Sequence, residues 1–197
     1  MERLQVPLVD ESGHRIGWGG RWETHRVREG PVGPVLGKKH IGITIILANG
    51  KGKILVAHRR HKIFDKVWTL SGDTHPYRYD WGKTEVLSEA ARRCAMDDLG
   101  VITKGWRKAL TLSYAAQDPR DPRYCENELL RVMVTRYDGP IHMNEKNAYE
   151  AQWTTIEEIA DDSSADAKKK PIERKYAPWV HATFALPSGQ VKRAIAT

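Results

Sequence analysis

Apolar residues follow two rhythms along this 197-residue chain. Segment 41–48, IGITIILA, is a β-branched apolar run and predicts a buried strand. Asn49-Gly50 is a turn signal, and 53–57, KILVA, predicts the returning strand of a hairpin. Residues 84–99 read as a helix, with Ser88 as a cap and Gly100 as a C-terminal stop. Two further strands are predicted over 110–114 and 128–136, and Pro119 and Pro122 break the segment between them. A short strand at 153–155, the start of a helix at 156–160 and a C-terminal helix over 180–186, after Pro178, complete the pattern. Strand, helix, strand, strand, helix is a mixed α+β order. No repeat, low-complexity block or domain boundary interrupts it, so one domain is expected over 1–197.

Composition narrows the class. A 40% hydrophobic content supports a core, and no apolar run has the length of a membrane-spanning helix. The N-terminal stretch lacks the apolar region of a signal peptide, and two cysteines are too few for a disulfide framework. A reducing cytoplasm is the expectation. The net charge of +7 suits an anionic partner. Its basic residues fall in short groups, His58-Arg59-Arg60-His61-Lys62 and Lys168-Lys169-Lys170, the second after Asp161, Asp162 and Asp166 and so read as a solvated mixed-charge loop. Aromatic and basic residues do not interleave as on a stacking platform, so no nucleic-acid partner is expected.

Several residues could carry chemistry. Glu126 and Glu128 lie two apart and share a face if they are on a strand. His25, His40 and His75, each taken alone, read more readily as surface or hydrogen-bonded residues than as ligands. The helix ends in Asp97-Asp98-Leu99-Gly100, where a carboxylate could hold Mg²⁺ and, through it, diphosphate oxygens.

In order, these pieces resemble a known family. The helix end RCAMDDLGV resembles the close of a Nudix box, R-E-U-x-E-E-x-G-U, although Cys94 stands at the glutamate. WTLSGDTHPY (68–77) resembles the W-T-N-x-x-C-x-H-P stretch of type I isopentenyl-diphosphate isomerases, and LVDESGHRIG (8–17) their N-terminal segment. The resemblance runs over roughly residues 6 to 185. It implies a Nudix fold, a mixed β-sheet packed between helices. It also implies a metal site of His25, His40, His75, Glu126 and Glu128, a set suited to Zn²⁺, Mn²⁺ or Fe²⁺. Glu128 would be a metal-linked acid/base, with Tyr114 and Trp179 at the substrate pocket, the indole facing a carbocation. Arg59, Lys62 and Arg93 would grip diphosphate, and Mg²⁺ would sit at Asp98 and Asp73.

One departure matters. Asp73 occupies the place of the family's catalytic cysteine, and neither Cys94 nor Cys125 substitutes for it. A carboxylic acid protonates an alkene only if its proton stays on near neutral pH, which burial and Glu128 would favour. The segment from Arg26 to Lys39, ending PVGPVLGKK, is longer than the simple pattern. The expected activity is therefore protonation of a C=C bond in a prenyl diphosphate, giving an isomerised or cyclised product with its diphosphate retained. A Nudix diphosphate hydrolase and an inactive prenyl-diphosphate-binding protein are the alternatives.

Overall fold

The computed structural model describes residues 4–163, 175–185 and 189–196; Lys168–Lys170, Asp166 and Leu186 lie outside them. A nine-stranded mixed sheet is built around β5 (His40–Ala48). β5 runs parallel to β10 (Cys125–Arg136) and antiparallel to β1 (Gln5–Val9) and β8 (Gly72–Thr74). β10 carries β9 (Arg107–Gln117) on its other edge, and β1 carries β2 (Arg15–Gly20). β6 (Ile54–Arg59) pairs with β7 (Trp68–Thr69) and β11 (Ala148–Thr154). The short β3 (Arg28–Gly30) and β4 (Gly33–Val35) form a separate ribbon.

The expected hairpin over 41–57 is present at its turn, where β5 and β6 pair antiparallel. β5 and β6 meet in register only at Ala48↔Ile54, then part, because β5 spends its ladders on β10, β1 and β8. The turn is held by the Asn49 side chain, which accepts from the amides of Lys51 and Lys53.

Burial on both faces explains the unbroken apolar run of β5. Ile43, Ile45 and Leu47 pack on α2 (Leu87–Leu99) through Ala90, Ala91, Ala95 and Leu99. Ile46 and Ala48 face the opposite layer, made by α3 (Ile156–Ser163), α4 (Pro178–Ala185) and α5 (Gly189–Ala196). The sheet is therefore packed between helices. Each fully buried Ile or Leu contributes about 1.5–3 kcal/mol. The cap of α2 is Val86 rather than Ser88, and the Glu89 carboxylate turns back to accept from the Val86 amide. Gly100 ends the helix as read, at φ 63°. Pro178 opens α4 at a position where no N–H is required.

Candidate active site

Parallel pairing brings the N-terminal ends of β5 and β10 together, with Glu128 opposite His40 and, on the next strand, Tyr114 opposite Glu128. Cross-strand neighbours share a face, so Tyr114, Glu128 and His40 make one row, and Glu126 lies two residues along. The Tyr114 hydroxyl donates to Glu128 Oε2 at 2.8 Å. Gly42 gives the Glu128 carboxylate its space: a Cβ there would lie 2.2 Å from the carboxylate carbon.

Two further imidazoles reach the row. His25 follows α1 (Arg21–Thr24), and its carbonyl accepts from the Cys125 amide at 2.8 Å. His75 follows β8, whose register on β5 sets Asp73 beside Thr44. The three rings lie 4.6 to 5.1 Å apart between centroids. Each places Nδ1 against a backbone carbonyl: Arg21 at 2.5 Å, Lys38 at 2.8 Å and Ile41 at 3.1 Å. A carbonyl only accepts, so Nδ1 carries a proton in each ring and Nε2 is the nitrogen turned toward the cluster.

One ligand atom from each of His25, His40, His75 and Glu128 lies within 4.8 Å of the others. Glu126 Oε2 approaches His25 Nε2 at 3.0 Å and His40 Nε2 at 3.8 Å. His40 Nε2 and Glu126 Oε2 are buried without a hydrogen-bond partner. Imidazole Nε2 atoms and carboxylate oxygens converging in one buried cluster are what a divalent cation requires, so the donor set fits one. Burial and the neighbouring Glu126 both push the Glu128 carboxyl up. Burial also acts to raise Glu126, but the adjacent His25 outweighs it and holds that carboxyl down at about 2. Burial drives His75 well below the usual histidine range.

Asp73 stands between two adjoining compartments. Its Oδ2 accepts from Thr69 Oγ1 at 2.5 Å and from Arg59 at 3.2 Å, while Oδ1 is buried with no partner. Trp179 Nε1 donates to the same Thr69 hydroxyl at 2.9 Å, which ties the indole to Asp73. Burial pushes Asp73 up to about 6 despite the pull of Arg59. On one side lies a pocket lined by His25, His75 and both glutamates and walled by Tyr114, Trp179, Ile63, Leu130 and Trp22, with Arg21, Arg59 and His61 also on its lining. On the other lies a polar space with Arg21, Arg59, Arg93, Asp97, Asp98 and Asn147 on its walls.

The polar side differs from the sequence reading. Arg59 faces it, with Nη2 2.9 Å from His61 Nδ1, and Arg21 approaches His61 Nε2 at 3.2 Å. Burial, with Arg59 and Arg21 close by, lowers His61 to about 3, so the ring is neutral. A neutral imidazole accepts at one nitrogen only, which leaves one guanidinium with a donor to spare. Arg21 and His61 were missed because nothing in their local sequence marks them. Arg93 reaches the polar space, but its guanidinium is committed to Glu85, Thr74 and the His75 carbonyl. Lys62 lines neither compartment; its ammonium lies 4.7 Å from the Trp22 ring and 4.9 Å from the Tyr124 ring. Asp98 is held by Asn147 Nδ2 at 2.6 Å and Cys94 Sγ at 3.4 Å, and burial raises its pKa.

Comparison with known proteins fits this architecture. An isopentenyl-diphosphate Δ-isomerase of Brevibacterium linens is 29% identical over 184 residues, covering 92% of this chain and 87% of the relative. An isopentenyl-diphosphate Δ-isomerase 2 of Aromatoleum aromaticum is 23% identical, covering 90% and 83%. In fold, a crystal structure from Deinococcus radiodurans superposes with a TM-score of 0.59 at 16% identity, over 93% of this chain and 99% of that one. A MutT protein from Methanosarcina mazei gives 0.53 at 14% identity, over 75% and 91%. The NUDIX domain model matches residues 38–180, and the chain belongs to that family.

Proposed function

We propose that the protein is an isomerase-like enzyme that protonates a C=C bond of a prenyl diphosphate and keeps the diphosphate, releasing an isomerised or cyclised product. The observation that carries this reading is the pairing of Asp73 and Glu128 on one aromatic-walled pocket. Asp73 Oδ2 is fixed by Thr69 and Arg59, which leaves the unpartnered Oδ1 to hold and deliver a proton. The alkene π pair takes that proton as a new C–H bond and leaves a tertiary cation. Glu128, hydrogen-bonded to Tyr114, accepts a proton from a neighbouring carbon, and the released pair forms the new alkene. Trp179 and Tyr114 line the pocket where that positive charge would form, and aromatic rings there would favour it.

His25, His40, His75, Glu126 and Glu128 would hold Zn²⁺, Mn²⁺ or Fe²⁺, which would supply Lewis acidity beside Glu128. Asp98 would hold Mg²⁺, which would neutralise diphosphate charge in the polar compartment and leave Asp73 its proton. The spare donor at the Arg21–His61–Arg59 bridge supports an anion there. Two similar isomerases, spanning about nine-tenths of this chain, support the substrate class.

A second reading, hydrolysis of a diphosphate bond, is favoured by Asp97 and Asp98 sharing the polar compartment with Asp73. Incubation with isopentenyl, dimethylallyl, geranyl and farnesyl diphosphates in D₂O, with Mg²⁺ and Mn²⁺ or Zn²⁺, separates the two. Carbon-bound deuterium with an intact diphosphate is expected from the wild type. Asp73→Asn should lower that rate by about 10²–10⁴-fold and retain diphosphate binding. Monophosphate without deuterium at carbon would establish the hydrolase instead.

A further inference from the structure

The apolar walls of the pocket are unequal. Ile63, Leu130 and Trp179 are each 2% exposed and belong to one core cluster, while Ile43, 1% exposed, belongs to the other. Trp179 is further fixed by Thr69 and by the edge of Phe64, with ring centroids 5.4 Å apart. None of these can give way without repacking the core.

Trp22 is different. It lines the same pocket yet is 40% exposed. It rides on α1, a helix of only four residues, three positions before His25. Its contacts are those of a surface flap. It stacks on His61 with centroids 6.0 Å apart, meets the edge of Tyr124 at 6.3 Å, and carries Lys62 and Arg21 against its faces. Such contacts are weak and exchangeable beside core packing. Among the described residues, Trp22 is the apolar wall of this pocket that can change without disturbing the core.

We propose that Trp22 is the specificity-determining residue for hydrocarbon length. Closed over His61, its indole ends the space open to a prenyl tail; without it, the pocket runs on to solvent beside Tyr124. This rests on the prenyl diphosphate reading above and adds which side chain measures the tail.

The test uses thiolodiphosphate analogues, in which sulfur replaces the bridging ester oxygen, carrying five-, ten- and fifteen-carbon prenyl chains. Affinities are measured calorimetrically with Mg²⁺ present for the wild type, Trp22→Ala and Trp22→Phe, each checked for folding by circular dichroism. Trp22→Ala should raise the ratio of fifteen-carbon to five-carbon affinity at least tenfold, with Trp22→Phe between it and the wild type. Should Trp22→Ala fold poorly, Trp22→Phe alone must still move the ratio upward. An unchanged ratio, with the wild type binding the five-carbon analogue, overturns the length role and leaves the functional reading standing. No binding of any analogue by the wild type overturns both.

Discussion

On one side of Asp73, Tyr114, Glu128 and His40 occupy paired positions on three hydrogen-bonded strands. On the other side, Arg93 extends from a long helix, and Arg21 and Arg59, from a short helix and a strand end, reach in while also bordering the first pocket. The first compartment is oriented by backbone: ladder register places its residues, and carbonyls set the tautomers of its imidazoles. The second is oriented by side chains on side chains, such as Arg59 on His61 and Arg93 on Glu85. A backbone-fixed site is preorganised for one geometry. A site of mutually paired long side chains can exchange an internal partner for an incoming anion. Substitutions in the first compartment should therefore be severe and specific, and those in the second graded.

The largest effect is expected from His40→Ala. His40 is fully buried and has no hydrogen-bond partner at Nε2, so its loss leaves a hole at the centre of the donor set. Elemental analysis of the purified variant should show loss of stoichiometric transition metal, and turnover should become undetectable. Full metal content with retained turnover would mean that the cluster serves another purpose. Arg59→Met should act through binding. Removing one charge-assisted contact of about 1.5–3 kcal/mol predicts a rise in KM of about 10–100-fold. A variant that lost only kcat would show Arg59 acting on Asp73 alone and would break the division between compartments.

The same division explains what could be read from the sequence. The IGITIILA run located β5, and β5 organises the sheet, because burial on both faces leaves an unmistakable apolar signal. Glu126 and Glu128 were legible as a same-face pair because a strand has period two. Edge strand β2, RIGWGG, was not legible, because half of it is glycine and none of it is fully buried. Strands β7 and β8 are too short for any periodicity. In the polar compartment, the family resemblance pointed to Lys62 and did not mark its neighbour His61. In the loop, Phe64 at φ 50° and Lys66 at φ 58° turn the chain so that His61 faces in and Lys62 lies on Trp22. The carboxylate of Asp118, 54 residues away, holds that turn by accepting from the Phe64 amide at 2.7 Å. No local pattern reports a contact of that range.

Glu85 tests whether the polar compartment rests on its own support. This buried carboxylate accepts from Arg93 at both oxygens, from the Tyr79 hydroxyl and from the Tyr77 amide. Burial acts to raise its pKa, but the hydrogen bonds led by Arg93 outweigh it and hold the carboxyl below its ordinary 4.5. A depressed folded pKa means that the stabilisation is complete above the unfolded value and is lost as pH falls from 4.5 through the folded one. Glu85→Gln should cost about 1.5–3 kcal/mol at neutral pH and flatten that part of the acid limb in urea titrations. Metal content should be unchanged, because none of the five metal candidates contacts Glu85 through its side chain. A loss of metal would show the two compartments to be mechanically coupled.

The smallest effect, and the sharpest test of the comparison, belongs to Lys62. Its ammonium sits over two aromatic rings at the pocket mouth and outside both compartments. Exposed cation–π contacts contribute about 0.5–1 kcal/mol each, so Lys62→Ala should cost about that much stability. KM for a diphosphate substrate should rise by less than about threefold, the scale of an exposed charge acting at a distance. Arg59→Met and Lys62→Ala, measured side by side, then differ by an order of magnitude although both remove one positive charge. Equal rises in KM would mean that the ammonium leaves Trp22 and joins the diphosphate on binding.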